Sequence, residues 1–129
     1  LYLDKYEVTA GPQKGNELPS TAEYSGNLNA TFFLPLGDGA VYVRADYSYQ
    51  DDHLTRNTGE PDDRDIQDRE LLNANLGWRS DQWNVSVWGK NLTDDEYASL
   101  TAATFPVTGM DAYFLAPPRT YGATLRYDF

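Results

Sequence analysis

Hydrophobic and polar residues alternate along most of the chain, which is the period expected of β-strands with one apolar face. The pattern is clearest in the last segment, where one face carries Tyr121, Ala123, Leu125, Tyr127 and Phe129. The same period predicts five strands, at 23–34, 40–50, 71–79, 83–91 and 119–129. Tyr6 and Val8 are in phase with each other and predict a sixth strand near the beginning.

The segments between these strands are of two kinds, short and long. Residues 35–39 and 80–82 form short turns, whereas 51–68, 92–118 and 11–22 are long and lack the alternation. Short and long connections alternate strictly, so an antiparallel order places every long loop at one end of the sheet. The expected fold class is therefore all-β, an antiparallel up-and-down meander.

Composition and charge exclude several classes of protein. The net charge of −10 argues against a nucleic-acid partner, because phosphate recognition depends on basic side chains. The absence of cysteine excludes a disulfide or thiolate-metal framework. Mean hydropathy is −0.63, and no run approaches the roughly 18 apolar residues of a membrane helix. The first residues lack the basic start and apolar run of a signal peptide and begin within the strand pattern, which indicates a fragment of a longer protein.

Two classes of all-β protein fit the alternation, a soluble β-sandwich and an outer-membrane β-barrel. Lipid tolerates small residues on the apolar face more readily than a packed core does. These small residues are Gly26, Ala30, Ala45, Ala74, Gly89 and Ala123. Aromatic residues near strand ends, as in the girdles of a barrel, are Tyr24, Tyr47, Tyr49, Trp78, Trp83, Tyr121 and Phe129. Periodicity alone leaves both classes open.

Two sequence blocks near the end carry a resemblance to a known family. WGKNLTDDEY (88–97), followed by APPRTYGATLRYDF (116–129), resembles the C-terminus of TonB-dependent outer-membrane receptors. The residues that fit the first block are Asn91, Leu92, Thr93, Asp94 and Tyr97. Those that fit the second are Pro118, Arg119, Tyr121, Gly122, Tyr127 and Phe129. The upstream segments are also similar to late barrel strands of this family, so the resemblance extends from about Gly15.

The resemblance implies a fold larger than this chain. Residues 1–129 would be the C-terminal portion of the receptor, contributing roughly six strands of a barrel of about 22. The barrel is not closed by this chain alone, since the smallest bacterial barrels have about eight strands. The plug domain and the TonB-contacting segment of the family are absent from these residues. A periplasmic C-terminus would place the short turns in the periplasm and the long loops outside the cell.

The resemblance also implies a function. The parent protein would import a scarce nutrient, such as an iron chelate (siderophore), cobalamin or an oligosaccharide, across the outer membrane of a Gram-negative bacterium. Its partners would be outer-membrane lipid, its own plug domain, the TonB system and, through the C-terminal strand, the barrel-assembly machinery. The last strand would pair with the first to close the barrel. Neither catalysis nor a cofactor is implied.

Other candidate sites have weaker support in the sequence. The segment 51–68 carries seven acidic and two basic residues, a net charge of −5. It could hold a cation, but no Asp-x-Asp-x-Asp-Gly spacing is present, which favours a solvated loop. His53 is the only histidine, so no transition-metal site or Ser-His-Asp triad is expected. Asn91–Thr93 fits a glycosylation sequon but is better interpreted as a strand end.

Candidate ligand contacts come from the polar face and from the last long loop. Arg44 and Trp88, beside Tyr42 and Lys90, point into the predicted lumen, where they would contact a ligand or the plug. The loop candidates, which would contact a ligand or pack the loop, are Phe105, Met110, Tyr113 and Phe114. The alternative functions are a soluble β-sandwich that binds carbohydrate, and an outer-membrane porin or enzyme barrel.

Overall fold

The computed structural model describes residues 7–12, 14–15, 21–54, 65–102 and 112–129, and these residues contain strands and no helix. The strands of the main sheet are β1 (Ser25–Leu36), β2 (Gly39–Gln50), β5 (Arg69–Arg79), β6 (Trp83–Lys90) and β9 (Thr120–Tyr127). The shorter strands are β3 (His53–Leu54), β4 (Asp65–Ile66), β7 (Ala98–Ala102) and β8 (Ala112–Leu115).

The main sheet confirms the predicted antiparallel meander. Its strand order is β1-β2-β5-β6-β9, so each strand lies beside the next long strand in the sequence. The five strands predicted between residues 23 and 129 are all present, with bounds that differ by at most two residues. Within the described residues, β1 and β9 have no partner along their outer edges.

The predicted long loops differ from the structure. The segments 51–68 and 92–118 each contain a short antiparallel ladder, β3 with β4 and β7 with β8. Strands of two to five residues are too short to show a period in sequence, which is why the pattern missed them. Of the predicted sixth strand, Tyr6 lies outside the described residues, and Val8 is described but lies in no strand.

Register makes the apolar face continuous across neighbouring strands. Leu76 on β5 lies opposite Val87 on β6, and Val85 on β6 lies opposite Leu125 on β9. Because side chains alternate between faces, the intervening polar positions are also aligned across the three strands. The sheet therefore has one apolar face and one polar face.

The apolar face is not covered by any other part of the described chain. No hydrophobic side chain among the described residues is buried. Exposure reaches 80% at Phe32, 69% at Leu28 and 69% at Leu125. A sheet of a water-soluble domain buries such a face against a second layer. No second layer of this kind is present in the described residues.

On the polar face, aromatic rings lie over glycines of the neighbouring strand. A Cβ at Gly77 would lie 2.5 Å from the Tyr42 ring, so only glycine accommodates the ring there. The Tyr42 hydroxyl extends past β5 and donates to Asn84 Oδ1 at 3.2 Å. Trp88 lies over Gly122 in the same manner and would overlap any side chain at that position.

The apolar face has similar pairs at its two ends. The Trp78 indole lies over Gly39 and donates from Nε1 to the Leu36 carbonyl at 3.3 Å. At the other end Leu92 covers Gly89, where an added Cβ would lie 2.6 Å from Leu92 Cδ2. Ring-over-glycine contacts therefore lock neighbouring strands in register on both faces.

The chain consists of two compact units. The second unit comprises Asn27–Ser48, Glu70–Asp95 and Pro117–Phe129, and holds most of the five-stranded sheet. The first comprises Leu1–Gly26, Tyr49–Arg69 and Glu96–Ala116, and holds the β3–β4 and β7–β8 ladders. In the first unit, Arg69 Nη2 donates to Gln50 Oε1 at 2.5 Å.

Replacing Gly122 by valine should destabilise the sheet, because the new side chain overlaps the Trp88 ring. We expect Gly122→Val to lower the free energy of unfolding by about 1–3 kcal/mol, the range for overpacking. The measurement is denaturant unfolding in detergent micelles, followed by circular dichroism.

Gly26→Val is the matched control, since no described heavy atom lies within 4 Å of a Cβ at Gly26. It should change stability by less than about 0.5 kcal/mol. Adding Trp88→Ala to Gly122→Val should relieve the overlap and reduce the loss. Equal losses at Gly122 and Gly26 would contradict the interlocking account.

Candidate functional site

A pocket of about 410 Å³ opens on the polar face of the second unit. Its polar lining consists of Arg44, Asp46, Asn73, Asn75 and Lys90, with Trp88 as the aromatic member. These side chains come from β2, β5 and β6, at positions that the strand period aligns on one face. We call this group the polar-face pocket.

The charged members of the polar-face pocket differ in how they are paired. Arg44 donates to Asp46 through two nitrogens, Nε to Oδ2 at 2.8 Å and Nη2 to Oδ1 at 2.8 Å. This bidentate pair holds the guanidinium in one orientation. Lys90 Nζ instead lies 5.5 Å from the centre of the Trp88 ring. No described carboxylate forms an ion pair with Lys90.

The two asparagines of the pocket present amide groups side by side along β5. Asn73 Oδ1 accepts from the Asn91 backbone N–H at 3.0 Å, which turns the Asn73 amide nitrogen away from that bond. Asn75 lies directly opposite Trp88. Its Oδ1 is buried and has no hydrogen-bond partner within the described part of the chain. The pocket therefore contains one buried acceptor without a partner in the described chain.

Within the block WGKNLTDDEY (88–97), the chain makes a tight turn after β6, centred on Asn91. This side chain is only 6% exposed. Its Oδ1 accepts from the Asp95 N–H at 3.0 Å, and its Nδ2 donates to the Asp95 carbonyl at 2.9 Å. The backbone φ of Asn91 is 51° and that of Asp94 is 61°, a region that asparagine and aspartate tolerate better than most residues.

The turn is also fastened to the neighbouring strand β5. Thr93 Oγ1 donates to the Glu70 carbonyl at 2.6 Å, and the Glu70 N–H donates to Asp95 Oδ2 at 2.7 Å. The Leu92 N–H donates to the Leu72 carbonyl at 2.8 Å. The sequence Asn-Leu-Thr-Asp therefore ends the β5–β6 ladder, which agrees with the interpretation of Asn91–Thr93 as a strand end.

An ion pair links the two sequence blocks 88–97 and 116–129. Arg119, just before β9, pairs with Asp94 of the turn at 2.8 Å, and the two side chains are 40% and 49% exposed. Such exposed pairs contribute about 0–1 kcal/mol, so the pair aligns the segments more than it stabilises them. Pro118 precedes Arg119 in the exposed connection to β9. In the first unit, the Arg69 guanidinium lies 5.2 Å from the centre of the Tyr97 ring.

An aromatic cluster marks the short-turn end of the apolar face. The ring centres of Trp83 and Tyr127 are 4.6 Å apart, and those of Tyr127 and Phe129 are 5.0 Å apart in an edge-to-face arrangement. At the opposite end of β9, Tyr121 is 68% exposed and borders Gly89. Aromatic rings therefore occur at both ends of the exposed apolar band.

The structure brings together only some of the predicted ligand contacts. Arg44 and Trp88 line the same polar-face pocket. Tyr113 and Phe114 lie on β8 in the first unit and are exposed, with the Phe114 carbonyl accepting from Ser99 Oγ at 2.9 Å. Phe105 and Met110 lie outside the described residues.

The acidic segment is described only at its ends. His53 belongs to β3, and residues 55–64, with three of the seven acidic residues, lie outside the described part. Among the described residues, no three acidic, histidine or cysteine side chains converge as a metal site requires.

Three pocket residues were not predicted as ligand contacts, namely Asp46, Asn73 and Asn75. A signal for them was present in the sequence. Asn73 and Asn75 occupy alternate positions of a strand, on the face opposite Leu72 and Ala74. Two amide side chains on the same face of one strand indicate a polar patch. Only the strand order shows that Trp88 and Arg44 lie beside this patch.

Comparisons with known proteins return nothing for this chain. No protein-family model, no curated protein and no solved structure matches it. Among the described residues, no helix is long and apolar enough to cross a membrane.

Replacing Asn91 should destabilise the turn for two separable reasons, lost hydrogen bonds and an unfavourable φ. We expect Asn91→Ala to lower the free energy of unfolding by about 1–3 kcal/mol, since partly buried backbone groups of Asp95 lose their partners. Asn91→Gly keeps the backbone conformation available and should cost about 1 kcal/mol less. Denaturant unfolding in micelles measures both.

Asn29→Ala, on the exposed polar face of β1, is the control and should be close to neutral. If Asn91→Ala were as mild as Asn29→Ala, the turn would not depend on the Asn91 side chain.

Proposed function

We propose that this chain is part of the barrel wall of a TonB-dependent outer-membrane receptor, with its apolar face toward lipid and its polar face toward a wet lumen. The observation that carries the proposal is the apolar face of the main sheet, which no described residue covers. Lipid covers such a face without a second protein layer, whereas a soluble sandwich requires one.

Strand length supports a transmembrane position. β1 and β2 contain 12 residues each. At roughly 3.3 Å per residue they are about 40 Å long, which corresponds to about 30 Å along the membrane normal at a tilt of about 40°. For these two strands this agrees with the hydrocarbon thickness of about 30 Å of a typical bilayer, whereas β6 and β9, with eight residues each, extend over about 20 Å at the same tilt.

The aromatic rings at the ends of the apolar band provide further support. Trp83, Tyr127 and Phe129 cluster at the short-turn end, and Tyr121 lies at the other end of β9. Tryptophan and tyrosine favour the membrane–water boundary because their rings are apolar at one end and polar at the other.

Among the described strands, β1 and β9 have no neighbour on their outer sides, which supports a barrel larger than the described sheet. In hydrocarbon every backbone amide must be hydrogen-bonded, so an open edge requires a further strand. The family resemblance supplies those strands from the rest of a larger barrel. The Asp94–Arg119 pair joins the two blocks on which that resemblance rests.

In this function the chain makes and breaks no covalent bond. The barrel wall would hold the protein in the outer membrane, and its polar face would border the route of an imported nutrient. Energy from the TonB system would act on a plug domain, which residues 1–129 do not supply. The chain thus serves as a scaffold and as one wall of the transport path.

A charge placed on the apolar face should block membrane insertion, whereas the same charge on the polar face should be tolerated. Leu125→Arg and Thr124→Arg are adjacent on β9 but point to opposite faces. We expect Leu125→Arg to cost about 2–4 kcal/mol of insertion free energy and Thr124→Arg to cost little. The measurement is the fraction of the chain that folds into lipid vesicles.

Solubility provides the outcome that would overturn the proposal. The unaltered chain should require lipid or detergent to fold. A folded, monomeric chain in plain buffer would contradict the proposal and favour the soluble β-sandwich, whatever the behaviour of the two variants.

A further inference from the structure

Charge is distributed unevenly between the polar face and the rest of the chain. The chain has a net charge of −10. In the second unit, however, the basic side chains of the polar face are Arg44, Arg79, Lys90 and Arg126, and the acidic ones are Asp46 and Asp128. This face is therefore net positive, by two charges, within a strongly acidic chain.

The basic side chains of this face fall into two groups. Arg44 pairs with Asp46, and Arg126 pairs with Asp128, each at 2.8 Å. Lys90 and Arg79 form no ion pair with a described carboxylate and lie over aromatic rings instead. Of these two, only Lys90 lines the polar-face pocket. The pocket thus contains one cation whose charge is not balanced by a carboxylate.

The side chains that line the pocket beside Lys90 carry both hydrogen-bond donors and acceptors. Asn73 uses its Oδ1 to accept from the Asn91 N–H, which leaves its amide nitrogen outside that bond. Arg44 donates to Asp46 through Nε and Nη2 and has further N–H groups beyond these two. Asn75 adds an amide next to Trp88. Arg44, Asn73 and Asn75 therefore line about 410 Å³ of space together with Lys90 and with Asp46, whose carboxylate is held by Arg44.

We propose that the polar-face pocket binds a small oxyanion-bearing ligand, whose carboxylate or phosphate oxygens contact Lys90, Asn73 and Arg44. Charge-assisted hydrogen bonds to carboxylate and phosphate are stronger than neutral ones, and an unbalanced ammonium beside amide donors matches that chemistry. The Trp88 ring, held flat over Gly122, forms the wall against which the ligand rests. The inference rests on the proposed function, since it names the chemistry of a cargo that the barrel wall contacts.

Trp88 provides a site-specific signal for the test. The chain contains three tryptophans, and the other two, Trp78 and Trp83, lie on the apolar face. Nitrogen-15 NMR of the indole groups resolves all three in the full chain folded in maltoside micelles. Citrate, inorganic phosphate and uncharged sucrose are the three probes, each titrated at constant ionic strength.

The expected result is a saturable shift of the Trp88 indole signal with citrate or phosphate, with Trp78 and Trp83 unmoved. Tighter binding of citrate than of phosphate would identify the oxyanion as a carboxylate, and the reverse would identify it as a phosphate. Lys90→Gln should weaken binding by about tenfold or more, because it removes the charged donor. Arg126→Gln removes the same charge from the polar face outside the pocket and should leave binding unchanged.

Three outcomes would overturn the inference. Binding of sucrose without citrate or phosphate would assign the pocket to a neutral ligand, and the absence of any Trp88 shift would leave it without a small-molecule ligand. Equal weakening by Lys90→Gln and Arg126→Gln would reduce the effect to general charge attraction. These failures leave the proposed function intact, whereas folding in plain buffer would remove that function independently of any Trp88 shift.

Discussion

The structure depends on the chemical difference between the two faces of one sheet. Fully burying one large apolar side chain is worth about 1.5–3 kcal/mol, so six side chains that are each half or more exposed represent about 6–12 kcal/mol. That is comparable with the whole stability of a typical domain, about 5–15 kcal/mol. The described chain leaves Leu28, Phe32, Leu76, Val87, Tyr121 and Leu125 exposed on one face. Stable folding therefore requires an apolar surrounding that the described residues do not contain.

Because the described residues contain no buried hydrophobic core, cross-strand contacts must fix the position of each described strand. Tyr42 over Gly77 and Trp88 over Gly122 place a flat ring where any other residue would bring a side chain. A glycine in a strand interior normally weakens it, but here the ring of the next strand fills the space. The same contact fixes the plane of Trp88, so the rings that hold the sheet together also shape the polar-face pocket.

The sequence predicts this structure as far as strand periodicity extends. Alternation placed all five long strands, because an exposed apolar face and an exposed polar face both produce a period of two. It did not predict the β7–β8 ladder, whose strands are too short to show a period. It also did not predict the Tyr42–Gly77 contact or the Asp94–Arg119 pair, because each depends on which strands are neighbours and in what register. The sequence predicts only Arg44 and Trp88 of the polar-face pocket as ligand contacts. The remaining members depend on strand order and register, which the pattern does not contain.

The Asn-Leu-Thr-Asp turn (Asn91–Asp94) affects the geometry of the polar-face pocket. None of its side chains lines the pocket, yet the Asn91 N–H holds Asn73 Oδ1 and so orients the Asn73 amide. Lys90, which immediately precedes the turn, is the last residue of β6. A turn that fixes φ at Asn91 therefore also sets where the chain leaves the polar face after Lys90. The Asn-Leu-Thr-Asp turn thus shapes the polar-face pocket through local backbone geometry, although none of its side chains lines the pocket.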